Sequence, residues 1–137
     1  MSHVLARTTQ AFATALLIAG SAILLPAAQA QPGVTRTDLQ RQDLSVGGRE
    51  AVQVRVDLAP GVAFGRHRHP GEEIIYVLEG SLQYEIDGKA PVPLKAGDVL
   101  FIPAGTIHAA RNVGTDNAAE LATYVVEKGK PLLQLIE

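Results

Sequence analysis

From Val52 onward the chain is cut into short apolar runs at nearly even spacing, each stopped by Gly, Pro or Asp. That rhythm limits the fold more than any other feature, because runs so short suit strands and give a helix too few turns to bury a face. VQVRVDL (52–58) sends Val52, Val54, Val56 and Leu58 to one side and Gln53, Arg55 and Asp57 to the other, the period of a half-buried strand. IIYVL (74–78), rich in β-branched and aromatic residues, ends at Glu79-Gly80. SLQYEI (81–86) alternates again, and the Asp87-Gly88 behind it is a hairpin turn signal. PVPL (91–94) reads as an edge segment, since proline cannot donate to a ladder. VLFI, IHAARNV and AELATYVVE complete the series, and no stretch carries a helical period. The expectation is an antiparallel sandwich or barrel.

The first thirty residues are of another kind. They hold one charged residue, Arg7, then the apolar AFATALLIAGSAILLP and the small residues Ala28 and Ala30. A basic start, a short apolar core and a small-x-small site predict a secretory signal peptide over 1–30, cleaved after Ala30. The mature chain, 31–137, would then be periplasmic or secreted. Removing Arg7 takes Lys+Arg from 12 to 11 against 14 Asp+Glu, a formal net charge of −3. No basic footprint for nucleic acid and no membrane-binding charge run is present. The absence of cysteine excludes disulfides, thiolate catalysis and thiolate-ligated metals. Residues 31–50 are polar and read as an N-terminal arm or an edge strand.

Chemistry concentrates in HRHPGEEIIYVLEG (67–80). His67 and His69 are two apart, so on a strand both leave one face and can converge on an ion. Pro70-Gly71 bends the chain in a way that can return Glu73 toward them. The remaining histidine of the mature chain, His108, follows the PAG turn. By themselves these residues describe either a polar turn or a metal site of three nitrogens and one carboxylate, suited to Fe, Mn, Ni, Cu, Co or Zn. Tyr76, Tyr84, Tyr124, Phe64 and Phe101 are read as core packing. Parity puts Arg111 on the face opposite His108.

Two longer patterns bear on that choice. Residues 61–80 fit G-x5-H-x-H-x3-E-x6-G and residues 97–112 fit G-x5-P-x-G-x2-H-x3-N, with no departure in either. The chain thereby resembles the cupins, specifically the small single-domain bacterial type. The resemblance implies an all-β, antiparallel double-stranded β-helix (jelly roll) over 31–137. It implies one divalent transition metal held by His67, His69, Glu73 and His108, and a homodimer built sheet to sheet. Gly61, Gly80, Gly97 and Gly105 would take turn conformations, Pro103 would set the bend before His108, and Asn112 would tie down the end of its strand.

Four protein ligands in an octahedral site leave two positions for a bidentate oxygen ligand, or for a substrate and dioxygen. The leading functional expectation is a dioxygenase-type oxidoreductase acting on a small phenolic or enolic compound, with Glu73 taking the substrate proton. The alternatives are a non-catalytic metal- and small-ligand-binding cupin and, more remotely, an isomerase or lyase.

Overall fold

The computed structural model describes residues 31–137, so the expected leader lies outside the described residues. Ten strands follow one another: β1 (Val34–Asp43), β2 (Arg49–Leu58), β3 (Ala63–Arg68), β4 (Gly71–Glu79), β5 (Ser81–Ile86), β6 (Val92–Lys95), β7 (Val99–Ile102), β8 (His108–Asn112), β9 (Ala118–Glu127) and β10 (Gln134–Leu135). They form two antiparallel five-stranded sheets, ordered β1-β2-β9-β4-β7 and β10-β3-β8-β5-β6. The chain is an all-β jelly roll, as its turn rhythm and motifs implied. Among the described residues no helix is long and apolar enough to cross a membrane.

The core follows from strand parity. In β2 every second residue is buried, and Val52, Val54, Val56 and Leu58 face inward as the alternation predicts. Ile75 and Val77 of β4, Leu82, Tyr84 and Ile86 of β5, and Tyr124 and Val126 of β9 meet them between the sheets. Each such side chain contributes about 1.5–3 kcal/mol through area removed from water. The inner face of β9 also carries Ala118, Glu120 and Ala122.

Two positions explain how the metal motif is held. Pro70 turns the chain from β3 into β4, and Gly71 lies so close to β9 that an added Cβ would sit 2.0 Å from the Val125 carbonyl oxygen. No other residue type fits there. At the far end Asn112 is fully buried. Its Nδ2 donates to the carbonyls of Leu58 (2.9 Å) and Asp116 (2.8 Å), and its Oδ1 accepts from the Gly114 N–H (2.9 Å). The side chain thus clamps the end of β8 to the end of β2 and to the following loop. Gly61, Gly80, Gly97 and Gly105 all have positive φ, a conformation a Cβ would oppose.

Four expectations need correction or extension. Tyr76 and Phe101 are not core residues: they are 45% and 55% exposed. Tyr76 has the parity of Ile74 and Leu78, on the outer face of β4, and Phe101 is out of phase with inward-facing Ile102. Of the two readings of residues 31–50, arm or edge strand, the structure takes the second over residues 34–43, which pair with β2 of the same chain. Ala63–Arg68, passed over as a run, forms β3, and a tenth strand follows AELATYVVE. β10 has two residues, too few to show a period.

Candidate metal centre

The two histidine-bearing segments come from one sheet and the glutamate from the other. His67 on β3 pairs directly with His108 on β8. His69 lies just beyond the end of β3, and Glu73 is on β4 across the core. All four are buried, and one ligand atom from each falls within 4.8 Å of the others. The resemblance-based ligand set is therefore brought together as a single cluster.

The outer nitrogen of every ring is occupied. His67 Nδ1 lies 2.7 Å from the Gly65 carbonyl, His69 Nδ1 2.7 Å from that of Leu132, and His108 Nδ1 2.9 Å from that of Thr106. A carbonyl only accepts, so each Nδ1 carries a proton and donates it. In the neutral ring the Nε2 lone pair is then left to face inward, the tautomer and orientation that prepare a histidine to bind a metal. Glu73 Oε2 stands 2.9 Å from His108 Nε2 and 3.4 Å from His69 Nε2. His69 Nε2 and Glu73 Oε2 have no hydrogen-bond partner.

That combination is the test of fit. Several acceptors converge in a dry interior, and converging lone pairs repel unless something positive lies among them. Without a metal, a second proton on His108 can serve, making an imidazolium that donates to Glu73. Burial by itself would lower His108, but the bond to Glu73 outweighs it and raises its pKa above the ordinary histidine value. Burial would likewise raise Glu73, yet the bond from a protonated His108 and the nearness of His69 hold it well below the usual carboxylate range. His67 is pushed down to about 3, chiefly by burial and then by His108, so it stays neutral. Three oriented imidazoles and one ionised carboxylate make a donor set suited to a divalent transition metal.

Inward of the cluster lies an interior cavity of about 10 Å³, room for about one water. Sequence reasoning left this region without an ionisable group. The structure places one there: Glu120 of β9, buried, accepting a 2.5 Å hydrogen bond from the Tyr84 hydroxyl. Its signal was in the sequence, since Glu120 has the parity of Ala118, Ala122 and Tyr124 on a strand whose other face is less buried. Tyr84 and Tyr124 are core residues as expected, but both also line this cavity. Outside, His69 lines a surface groove of about 630 Å³ and His108 one of about 340 Å³.

A second device escaped the sequence. The segment after β9 returns across the barrel mouth, where β10 pairs with β3. Leu133 is buried in the core, and the neighbouring Leu132 carbonyl is the one that orients His69. Arg111, exposed, donates to the Gly61 carbonyl at 3.1 Å and faces away from the cluster, in line with its parity.

Residues 54–130 match the family described as "Cupin domain". An oxalate-binding protein of Thermotoga maritima is 41% identical over 73 residues, covering 53% of this chain and 60% of that one. A double-stranded β-helix protein from Klebsiella pneumoniae has the same fold, with TM-score 0.64 and 23% identity, covering 79% of this chain and 88% of that one. A recombinant oxalate oxidase in complex with glycolate gives TM-score 0.62 at 25% identity, covering 80% of this chain and 58% of the other. The chain spans about half the length of the curated relatives it matches.

Proposed function

The chain belongs to the cupin domain family, and from that premise we propose that it binds one divalent transition metal and uses it to hold a small chelating carboxylate. His67, His69 and His108 would hold the metal through Nε2, and Glu73 through Oε2. The observation that carries this is the lone-pair convergence: three rings locked by backbone carbonyls at Nδ1, with unpartnered His69 Nε2 and Glu73 Oε2 facing each other. When bound, such a metal supplies Lewis-acid polarisation and, if redox-active, a path for electrons.

The ligand class follows from size and from the relatives. A cavity of about 10 Å³ admits an oxygen of a two-carbon acid more readily than the ring of the small phenolic compound first expected. The similar proteins include one named for oxalate binding and one solved with glycolate. Dioxygen-dependent oxidation of a chelated acid, or of a small enolic compound, is the enzymatic form of this proposal, with Glu73 as the group that would accept the ligand's proton. Binding without turnover is the alternative form. Calorimetry with oxalate and glycolate on protein loaded with Mn(II), Fe(II), Co(II) or Ni(II), run beside an oxygen electrode, tests both. Binding that requires the metal supports the proposal, and oxygen uptake would then make the protein an oxidase or dioxygenase. No binding of either acid by any loaded form would overturn it.

Two further elements belong to this reading. The leader expected over 1–30 would export the protein to the periplasm or beyond. A second copy would pack on the outer face of β4 and β7, where Ile74 lies opposite Phe101 and Tyr76 opposite Val99, all of them exposed. Light scattering of the wild type and of Tyr76→Ser/Phe101→Ser checks this, and a monomeric wild type would exclude the dimer.

A further inference from the structure

Two of the three ring-orienting bonds at the metal centre are local and the third is not. The carbonyls that accept from His67 and His108 belong to Gly65 and Thr106, each two residues back in the same stretch of chain. The carbonyl that accepts from His69 belongs to Leu132, 63 residues away. It lies on a strap, residues 128–137, that leaves β9 and crosses the barrel mouth. His69 itself stands beyond the end of β3, and its ring packs against Tyr124 with centroids 4.6 Å apart. Packing of that kind sets the plane of the ring. Which nitrogen carries the proton is decided by the Leu132 bond.

The strap is lightly fastened. Leu133 is buried, Leu132 and Ile136 are half-buried, and the rest of the strap is exposed. Its pairing with β3 takes in Gln134 and Leu135. The Ile136 N–H donates to the Arg66 carbonyl at 2.9 Å, and Arg68 Nε donates to Gln134 Oε1 at 2.8 Å. Ordering each residue of the strap costs backbone entropy, and this short set of contacts must offset it. Segments of that kind open locally at a lower cost than the strands around a core.

We propose that docking of this strap and metal binding are coupled: the seated strap sets His69 for the metal, and the bound metal holds the strap in its seat. This rests on the reading of the four-residue cluster as a metal centre. With the Leu132 carbonyl in place, the His69 proton sits on Nδ1 and the Nε2 lone pair faces the cluster. With the strap away, Nδ1 has lost that acceptor, and the proton is better placed on Nε2, 3.4 Å from Glu73 Oε2. That tautomer offers the metal no lone pair. Linkage is reciprocal, so the factor by which the seated strap raises metal affinity is also the factor by which the metal raises strap docking. Groups that orient a ligand from behind typically change metal affinity by about 10–100-fold, and that is the size expected. Pro131, Leu133 and Leu135 of the strap also wall the groove of about 630 Å³ that reaches His69, so loss of the metal loosens the outer approach to the site and capture of the metal rebuilds it.

The test uses Co(II) alone as the probe, with affinity read by competition against a chelator. It compares the wild type, a chain ended after Gly129, Leu133→Asp, which puts a charge at the strap's buried anchor, and Leu94→Ala. Leu94 is a core residue of β6, at the opposite edge of the sheet from β10, so its loss lowers stability without touching the strap. The two strap variants should bind Co(II) about 10–100-fold more weakly, and Leu94→Ala should match the wild type. In a His69→Ala background, ending the chain after Gly129 should cost nothing further, because the ring that the strap orients is gone. Hydrogen exchange of the strap amides, Ile136 among them, should slow by a similar factor when Co(II) is added to the wild type. Equal affinity of the wild type and both strap variants overturns the coupling and leaves the metal centre standing. A loss as large in Leu94→Ala, or one that persists in full with His69→Ala, also overturns it, since the strap then acts through general stability or by another route. If both strap variants fail to fold, the exchange measurement on the wild type decides, and unchanged strap exchange overturns the coupling. A wild type that binds no Co(II) overturns the metal centre and the coupling together.

Discussion

Glu73 and Glu120 lie on neighbouring strands of one sheet, line one cavity and are both buried, yet they are held in opposite states. Burial opposes the charge of each. At Glu73 it is outweighed by His108, which donates to the carboxylate when protonated, and by the nearby His69 ring, and the carboxylate stays ionised. At Glu120 burial prevails, the charge of Glu73 adds to it, and the single hydrogen bond from Tyr84 opposes them only in part. In a dry interior, then, the number and charge of the neighbours decide the state of a carboxyl, and burial alone does not. The same pairing of one ionised and one protonated acid divides labour at many sites: one grips a cation and the other handles a proton.

The largest effect that could break this contrast is on metal affinity. His108→Ala should weaken metal binding by about a thousandfold, roughly 4 kcal/mol, and leave a folded β-protein. Glu120→Gln should change affinity by less than about threefold. Dialysis against a competing chelator measures both, and equal losses would put Glu120 among the metal ligands with His108.

Next comes the stability of the metal-free protein. Glu73→Gln should cost about 3 kcal/mol at pH 7, since it strands the imidazolium of His108. Glu120→Gln should stabilise. The raised pKa of Glu120 means that between about 4.5 and 8 the unfolded chain releases a proton that the native state keeps, so the wild type loses stability as pH rises through that window. The variant escapes this loss, gaining on the order of 2 kcal/mol by pH 8. Urea melts at pH 5 and pH 8 should show opposite signs for the two variants, and matching signs would contradict the contrast.

Acid should act more modestly on the metal-free wild type. The unfolded chain protonates His67 below about 6.5, whereas the folded chain resists until about 3, so stability falls with pH across that range. The lowered pKa of Glu73 adds to the fall below about 4.5, as its contribution is lost when pH drops toward its folded value. The raised pKa values of His108 and Glu120 work the other way and return stability on acidification, so the net change by pH 4 stays within about 2 kcal/mol. For the metal-loaded form the sign is unambiguous: protons compete for the imidazoles and occupancy falls on acidification. The smallest effect belongs to Tyr84→Phe, about 1 kcal/mol in the same melts, with no change in metal content.

The four residues of the metal cluster were legible because the two motifs recur with fixed spacings, and each spacing encodes a local geometry. His67 and His69 share a face by parity, Gly71 permits contact with β9, and Gly105 and Asn112 bracket His108. Glu120 was legible in principle from the parity of β9 and was passed over because a Glu in AELATYVVE looks like a solvated strand residue. Tyr76 and Phe101 were misplaced for the converse reason: large apolar residues were assumed to be inside. The Leu132 carbonyl that orients His69 left no trace in the sequence, since a backbone acceptor has no residue type.

What the sequence determined alone is whatever depends on near neighbours along the chain: strand alternation, glycine turns, the all-β class and the spacing of His67, His69, Glu73 and His108. What only the tertiary structure decided is what depends on strands far apart in sequence meeting face to face. The 2.5 Å bond between Tyr84 and Glu120 joins residues 36 positions apart, and the His69–Leu132 bond joins residues 63 apart. Pairing a strand with its distant partner sets which side chains share a cavity, and the charge state of a buried acid is a property of that company. No local pattern carries it, because the energies that shift a proton act through a few ångströms of space and not along the chain.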